Sequence, residues 1–468
     1  MANALAYAAE KKAFSLVLDQ AIKTASKEGG YIKVLNVAEK FLGDTWGHEA
    51  FDRLRSTFAP GEKYANFFDR ILRDVDTDVV KGLFMAFGFE AGYVGYHDAR
   101  KNEKKYGINI PWVILFDPTS ACNLHCTGCW ASEYSRTLNL SYDDLDRIVT
   151  EGKALGTRGY VLTGGEPMVR KKDIVKLARK HNDCGFMIFT NGTLVDQQFC
   201  DDMRDCKNIV LSMSVEGLEQ ATDNRRGQGV FQKVMNTMDL LRKNKLPYGV
   251  SICYTRENYK AVTSDEFIDF MIDKGVLFGW YFHFMPTGND TTMELVPTPE
   301  QREYMYHRIR EIRGYHGGKE IFLMDFQNDG EWVNGCIAGG KSYCHINPNG
   351  DVEPCVFIHY SSANIHDKSL LECLQQPLFR EYRANMPYNE NLLRPCPMLE
   401  NPAKLRKMVH ESGAVSTDMQ DPEDVDHLTH KVEDYAKAWA PVAEKLWASD
   451  HPGYVPKTMD QITGIEDE

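Results

Sequence analysis

Through the first hundred residues, apolar positions recur every three or four residues, at 14–22, 34–42 and 67–75. That spacing puts one apolar stripe on a helix. Gly29-Gly30, Gly43-Asp44 and Pro60-Gly61 interrupt the pattern, as turn-forming pairs do. A helical domain is therefore predicted over residues 1–108. Its most apolar stretch, 80–96, carries Leu83, Phe84, Met85, Phe87 and Phe89 and is broken by Lys81 and Glu90. It reads either as a helix docked on the next domain or as a surface that meets lipid or an apolar substrate.

From residue 111 the period changes. Short β-type runs at 112–116, 160–163, 186–190, 209–215, 248–254 and 279–284 alternate with helical stretches. Ser141-Tyr142-Asp143-Asp144 and Thr298-Pro299-Glu300-Gln301 carry helix-start chemistry, a hydroxyl followed three residues on by an acid or amide. Six strand–helix repeats predict a parallel sheet, and right-handed crossovers curl it. The expected class is α/β, a partial (β/α)6 TIM-like barrel over 109–319, with its chemistry at the carboxyl ends of the strands. Residues 320–414 form a small cysteine-rich extension, in which 344–355 predicts two short strands around Asn349-Gly350. Residues 415–468 read as an acidic helical tail ending Gly464-Ile465-Glu466-Asp467-Glu468.

Composition narrows the class. The 468 residues are 43% hydrophobic and 26% charged, ordinary for a globular chain. No uninterrupted apolar run is long enough to span a bilayer, and the N-terminus lacks the basic-then-apolar order of a secretion signal. A cytoplasmic protein is expected, with peripheral membrane contact left open. The net charge of −13 repels phosphate backbones, so nucleic acid is not an expected partner. Twelve cysteines without a secretion signal point to metal or redox chemistry rather than disulfides.

Three of them stand in Cys122-Asn123-Leu124-His125-Cys126-Thr127-Gly128-Cys129, directly after the first barrel strand. Three thiolates on one short loop hold three irons of a cubic [4Fe–4S] cluster and leave the fourth iron open. Zinc would need a fourth soft ligand, for which His125 is the local candidate. Three unrelated buried thiols are the remaining reading.

The Cys-x3-Cys-x2-Cys spacing resembles that of the radical S-adenosylmethionine (SAM) superfamily. Further elements recur in order: Gly164-Gly165-Glu166-Pro167 after the second strand, Asn191 at the end of the third, Ser214-Val215-Glu216-Gly217 at the end of the fourth, then Asp223 and Arg226-Gly227. The similarity covers residues 112 to about 290 and continues more weakly to 400. It implies that Cys122, Cys126 and Cys129 ligate a [4Fe–4S] cluster whose open iron takes the amino and carboxylate groups of SAM. Gly164, Gly165 and Glu166 would meet the SAM ammonium, Ser214 and Glu216 the ribose, and Arg226 the carboxylate, with Asn191 facing the site. Two positions depart from the family pattern. Gly128 stands where an aromatic is usual, with Trp130 as a candidate substitute, and Glu216 replaces the usual aspartate. On the sixth strand Tyr281, His283 and Met285 share one face and Trp280, Phe282 and Phe284 the other; His283 is a candidate site residue or a core histidine.

The segment from Cys336 through Gly350 to Cys355 resembles the start of SPASM or twitch auxiliary-cluster domains. Cys336, Cys344, Cys355 and Cys396 are the candidate ligands of one auxiliary [4Fe–4S] cluster, because the dense cysteine run of a two-cluster domain is missing. A zinc-filled site and plain buried cysteines are the alternatives. Cys184, Cys200, Cys206, Cys253 and Cys373 are expected in the core.

The resemblance implies reductive cleavage of SAM to a 5′-deoxyadenosyl radical that abstracts hydrogen from a substrate. A reductant such as flavodoxin or ferredoxin would supply the electron. The substrate class stays open between peptide, small molecule and lipid; residues 1–108 lack the mixed helix-and-strand pattern of a peptide-binding winged helix. No protein side chain is assigned as catalytic. The alternative from another class, a noncatalytic iron–sulfur electron carrier or sensor, does not need the Gly-Gly-Glu-Pro element.

Overall fold

Six consecutive parallel strands form the centre of the computed structural model, which describes residues 2–25, 30–46, 48–59, 61–314 and 318–463. They are β1 (Val113–Phe116), β2 (Gly159–Leu162), β3 (Gly185–Thr190), β4 (Ile209–Ser214), β5 (Tyr248–Tyr254) and β6 (Phe278–His283). Each lies within one residue of its expected bounds. The runs are short and strongly apolar because both faces are covered, one by helices and one by the sheet's own interior. Helix starts follow the chemistry noted above. Ser141 and Asp144 form a reciprocal cap on Tyr142–Leu155, and Thr298 and Gln301 do the same on Pro299–Arg313.

Pairing beyond the six repeats enlarges the sheet. Among the described residues its order is β7-β6-β5-β4-β3-β2-β1-β8-β9, with β7 at Phe322–Asp325, β8 at Tyr343–Ile346 and β9 at Val352–Glu353. β7 extends one edge in parallel, and β8 pairs in parallel with β1 at the other. β8 and β9 make the expected antiparallel hairpin. The cysteine-rich extension therefore shares the barrel's own sheet, beside the strand that leads into Cys122. Residues from β1, β2, β3, β5, β6 and β8 line one cavity, so the sheet curls around its interior.

The N-terminal region is helical, with helices at Ala2–Ala25, Gly30–Trp46, His48–Thr57, Lys63–Asp74 and Thr77–Leu83. Gly43-Asp44 does not break the second helix; one interior glycine costs only about 1 kcal/mol. Residues 84–95 form a π-helix. The two charges that interrupt its apolar run are ion pairs within the helical region: Lys81 reaches Asp19 at 2.6 Å, and buried Glu90 accepts from Lys11 at 2.6 Å and Tyr7 Oη at 2.6 Å. Phe87 from the π-helix lies against Gly185 of β3. The stretch 80–96 is thus a helix docked on the barrel. Gly29, Pro60 and the acidic ending 464–468 lie outside the described residues.

The region read as an acidic tail is built into the fold. Its helix Val425–Asp450 buries Leu428, Val432, Tyr435, Trp439 and Leu446, a stripe at helical spacing. Trp439 covers the guanidinium of Arg302 at 4.2 Å, and Arg302 forms a fully buried ion pair with Glu400. A two-stranded pairing of Tyr360–Ser361 with Val415–Ser416 crosses the expected boundary at 414. No helix among the described residues is long and apolar enough to cross a membrane.

Candidate active site

The loop after β1 carries Cys122, Cys126 and Cys129 at the carboxyl end of the sheet. It is clamped to the loop after β2 by two backbone bonds, Gly165 N–H to Thr119 C=O at 2.9 Å and Glu166 N–H to Ala121 C=O at 2.8 Å. A Cβ on Gly165 would stand 2.3 Å from the Ala121 oxygen, and one on Gly164, at φ +104°, would stand 2.5 Å from that of Thr119. The paired glycines thus let two backbones touch. Glu166 is buried beneath this contact. Its carboxylate accepts from Thr190 Oγ1 at 2.6 Å, Asn191 N–H at 2.7 Å and Met168 N–H at 3.0 Å. Burial pushes its carboxyl above the ordinary range, and these three donors hold it in place. Asn191 Nδ2 donates to Asn123 Oδ1 at 2.9 Å, tying the end of β3 to the cysteine loop.

A buried ion cluster secures the opposite side. Glu216 Oε1 accepts from Arg225 Nη1 at 2.6 Å and from Arg226 Nη2 at 2.5 Å, and its Oε2 from Cys253 N–H at 3.2 Å. The carboxylate expected to reach a ribose is therefore occupied with two guanidiniums and a strand amide. Arg226 Nη1 lies 3.9 Å from Cys126 Sγ. Arg225, adjacent to it and passed over in the motif, pins the cysteine loop: its C=O accepts from Thr127 N–H at 3.0 Å and its Nε donates back to Thr127 C=O at 3.2 Å.

Cys122, Cys126, Cys129, Gly164, Gly165, Glu166, Asn191, Ser214 and Arg226 all border one cavity of about 420 Å³; Glu216 stands behind that wall. Burial pushes the Cys122 and Cys126 thiols up, so a metal is needed to keep them as thiolates. Among the described residues no group of three His, Cys, Asp or Glu side chains is arranged to hold one metal ion. Zinc would draw its ligands to about 2.3 Å of a single centre, whereas each thiolate of a cubane binds a different iron.

Two aromatic expectations change. Gly128 has φ +63°, and a Cβ there would stand 2.6 Å from the Phe284 ring. Phe284 thus occupies in space the place left empty in sequence. Trp130 also borders the cavity, its ring 5.8 Å from that of His345 and 6.3 Å from that of Phe357. His283 both borders the cavity and is held in the core: it is buried, its Nδ1 bonds Phe284 C=O and its Nε2 bonds Tyr435 Oη at 3.0 Å. Burial and Arg302 push it down to about 3. Trp280 and Phe282 border the cavity as well. Cys253, expected in the core, also borders it.

A polar network joins this site to the hairpin. His345 lies between Asp117 Oδ2 at 3.1 Å and Glu353 Oε2 at 2.6 Å, all three fully buried. Tyr134 Oη donates to Glu353 at 2.8 Å and Thr163 Oγ1 to Asp117 at 2.7 Å. Sequence reading missed this group, because its members come from five separate segments.

A second cysteine set lies beyond the hairpin. Cys336, Cys355 and Cys396 are near enough for the charge of each to raise its neighbours, and burial pushes the Cys336 thiol up to about 11 and Cys355 to about 12. Every one of these sulfurs accepts a backbone N–H: Cys336 from Ala338, Cys355 from Phe357 at 3.5 Å, Cys396 from Leu399 at 3.4 Å. Such bonds favour thiolate and tune iron–sulfur centres. The hydroxyls of Tyr382 and Tyr388 are buried beside the trio without a hydrogen-bond partner. Cys344, the expected fourth ligand, is not with them. Strand alternation sends Tyr343 toward Cys355, Oη to Sγ 2.7 Å, and turns Cys344 to the opposite face beside Cys373.

Comparison with known proteins agrees with this geometry. Residues 116–271 match the radical SAM superfamily and residues 336–397 the SPASM iron–sulfur cluster-binding domain. The AdoMet-dependent heme synthase of Methanosarcina barkeri is 26% identical over 302 residues, spanning 59% of this chain and 85% of the relative. The mycofactocin maturase MftC of Mycolicibacterium smegmatis is 26% identical over 279 residues, 56% of this chain and 67% of that protein. The structure of Streptococcus suis SuiB bound to its precursor peptide SuiA superposes with a TM-score of 0.55 at 19% identity, covering 66% of this chain and 77% of that one. The chain belongs to the radical SAM superfamily and is an enzyme of the type that carries a C-terminal SPASM domain.

Proposed function

We propose that this enzyme cleaves SAM at a [4Fe–4S] cluster held by Cys122, Cys126 and Cys129 and uses the 5′-deoxyadenosyl group to take hydrogen from a C–H bond of a substrate in the barrel. The cluster, when bound and reduced by a protein such as flavodoxin or ferredoxin, supplies one electron to the sulfonium. The observation that carries the reading is the clamp of the cysteine loop onto Gly165 and Glu166, which brings both motifs to one end of one cavity.

The protein's part is positioning and exclusion of water. Gly164, Gly165 and Glu166 offer backbone polar groups to the SAM ammonium. Arg226 faces its carboxylate, held at a fixed angle by Glu216, and Ser214 reaches a ribose hydroxyl. Asn191 steadies the cysteine loop through Asn123, and Phe284 offers a face to the adenine. Glu216 thus acts through the arginines rather than on the ribose.

Cys336, Cys355 and Cys396 would hold one auxiliary [4Fe–4S] cluster in this reading, with the unpartnered Tyr382 and Tyr388 hydroxyls buried beside them and Cys344 not among the ligands. Their buried thiols and backbone donors suit a thiolate-bound centre. The similar proteins differ in what they are named for, one heme, one mycofactocin, and one is bound to a precursor peptide.

The test is anaerobic reconstitution followed by reduction with SAM present. Production of 5′-deoxyadenosine is expected from the wild type, and its loss from Cys126→Ala. Full activity in that variant, or none in cluster-loaded wild type, contradicts the proposal; the latter outcome favours an electron carrier.

A further inference from the structure

The cavity carries charged side chains only where it meets the cysteine loop. Its charged wall groups are Glu166, Arg225 and Arg226, and each is already engaged, Glu166 by Thr190 and two backbone amides and the arginines by Glu216. Deeper in, two apolar walls face each other. One is a single layer set by strand register, Leu115 beside Val161 beside Met187. The other is aromatic: Phe189 lies 6.0 Å from both Trp280 and Phe282, ring centre to ring centre, and the latter two stack. Below the aliphatic layer, the register puts Gly159 and Gly185 side by side. Those two positions contribute no side chain to the interior, and Phe87 from the π-helix fills the space over Gly185. Polar side chains on the lower wall aim their polar atoms away: Tyr160 Oη bonds Val149 and Thr157 carbonyls, and Tyr343 Oη bonds Cys355. The polar atoms that remain among the described residues are the hydroxyls of Ser251 and Ser342 and the indole N–H of Trp280, which has no partner.

A substrate portion in that space finds no cation for a carboxylate and few partners for amides. A porphyrin's acid groups or a peptide backbone would be buried there uncompensated, whereas methylene groups lose nothing and leave water. Resting on the radical SAM reading above, we propose that the group entering the barrel is a long alkyl chain, the acyl or alkyl chain of a lipid, and that a methylene hydrogen is the one removed. The C5′–S bond of SAM breaks and methionine leaves; one C–H bond of the chain then breaks homolytically and one C–H bond forms at C5′, giving 5′-deoxyadenosine and a chain-centred radical. The electron for SAM cleavage comes from the one-electron protein reductant already named. Phe87 is the floor against which chain length is measured.

The test uses cluster-loaded full-length enzyme with SAM, reductant and chain-perdeuterated palmitate, either as the free acid or within phosphatidylcholine vesicles. The zwitterionic lipid is chosen because a net charge of −13 opposes an anionic surface. Deuterium in 5′-deoxyadenosine from either arm supports the proposal, and the arm that transfers identifies the source, free acid or membrane lipid. Unlabelled 5′-deoxyadenosine from both arms overturns it while leaving SAM cleavage standing. No 5′-deoxyadenosine at all contradicts SAM cleavage instead, and binding then decides the chain. The fluorescent fatty acid cis-parinaric acid is expected to bind the wild type, to bind at least tenfold more weakly to Met187→Trp, and to yield to longer competitors in Phe87→Ala. Absence of binding, or equal binding by Met187→Trp with the wild-type melting temperature, overturns the proposal.

Discussion

Phe284 and Gly128 share one space: the ring occupies the position that a side chain at 128 would take, 2.6 Å from a Cβ built there. The aromatic face beside the cysteine loop has moved from the loop to the end of β6. Phe284→Ala is expected to weaken SAM binding about tenfold, the ~1.4 kcal/mol that an aromatic contact contributes. Gly128→Phe is expected to be worse than Phe284→Ala, since it must displace Phe284 and adopt a left-handed backbone. Titration of SAM against the reduced cluster checks both; undiminished binding by Gly128→Phe contradicts the exchange.

Glu216 neutralises two guanidiniums that lie mostly out of water. Glu216→Gln keeps the shape and the acceptor for Cys253 N–H but removes the charge. Breaking such a pair costs about 3 kcal/mol or more, and Arg226 loses its orientation. A lower melting temperature together with a raised KM for SAM is expected, with kcat less affected. An unchanged KM contradicts the positioning role.

The auxiliary trio yields a prediction on iron content. Cys355→Ala is expected to lose one cluster's iron while retaining 5′-deoxyadenosine formation, because its site lies beyond the hairpin from the Cys122 loop. Cys344→Ala is expected to lose no iron, since that thiol faces Cys373 in the core. Iron analysis of the two variants, made anaerobically, separates them; equal iron loss contradicts the assignment of faces.

Two histidines set opposite pH limits. Burial alone would lower His345, but Asp117 and Glu353 outweigh it and raise it from 6.5 to about 10. Its contribution is complete below pH 6.5 and is lost as pH rises toward 10. Burial lowers His283 from 6.5 to about 3, so its contribution is complete above pH 6.5 and is lost as pH falls toward 3. Unfolding midpoints are expected to fall between pH 7 and 10, by up to about 1.4 kcal/mol per pH unit from His345. His345→Gln flattens that limb; identical slopes contradict the charged imidazolium.

Much of this was legible in the chain. The six strands follow from short apolar runs between helical patterns, and the Cys122 and Gly164 motifs mark two strand ends that the fold must bring together. Cys344 was misleading because a cysteine count carries no face: alternation in β8 separates it from Cys355, and only the paired strand shows which side each takes. Glu216 was assigned by chain length along a motif, without its partner Arg225. The edge pairing of β8 with β1 is a long-range contact that no local period encodes. The helix Val425–Asp450 was more legible than its acidity suggested, since Leu428, Val432, Tyr435 and Trp439 keep a helical stripe.

The most direct test of SAM docking at an incompletely capped cluster is electron–nuclear double resonance on the reduced, cluster-loaded enzyme with SAM labelled by 15N at the amino group and 17O at the carboxylate. Hyperfine coupling to both labels is expected, and it is expected to vanish in Cys126→Ala. A fully formed cluster at Cys122, Cys126 and Cys129 that shows coupling to neither label contradicts the account.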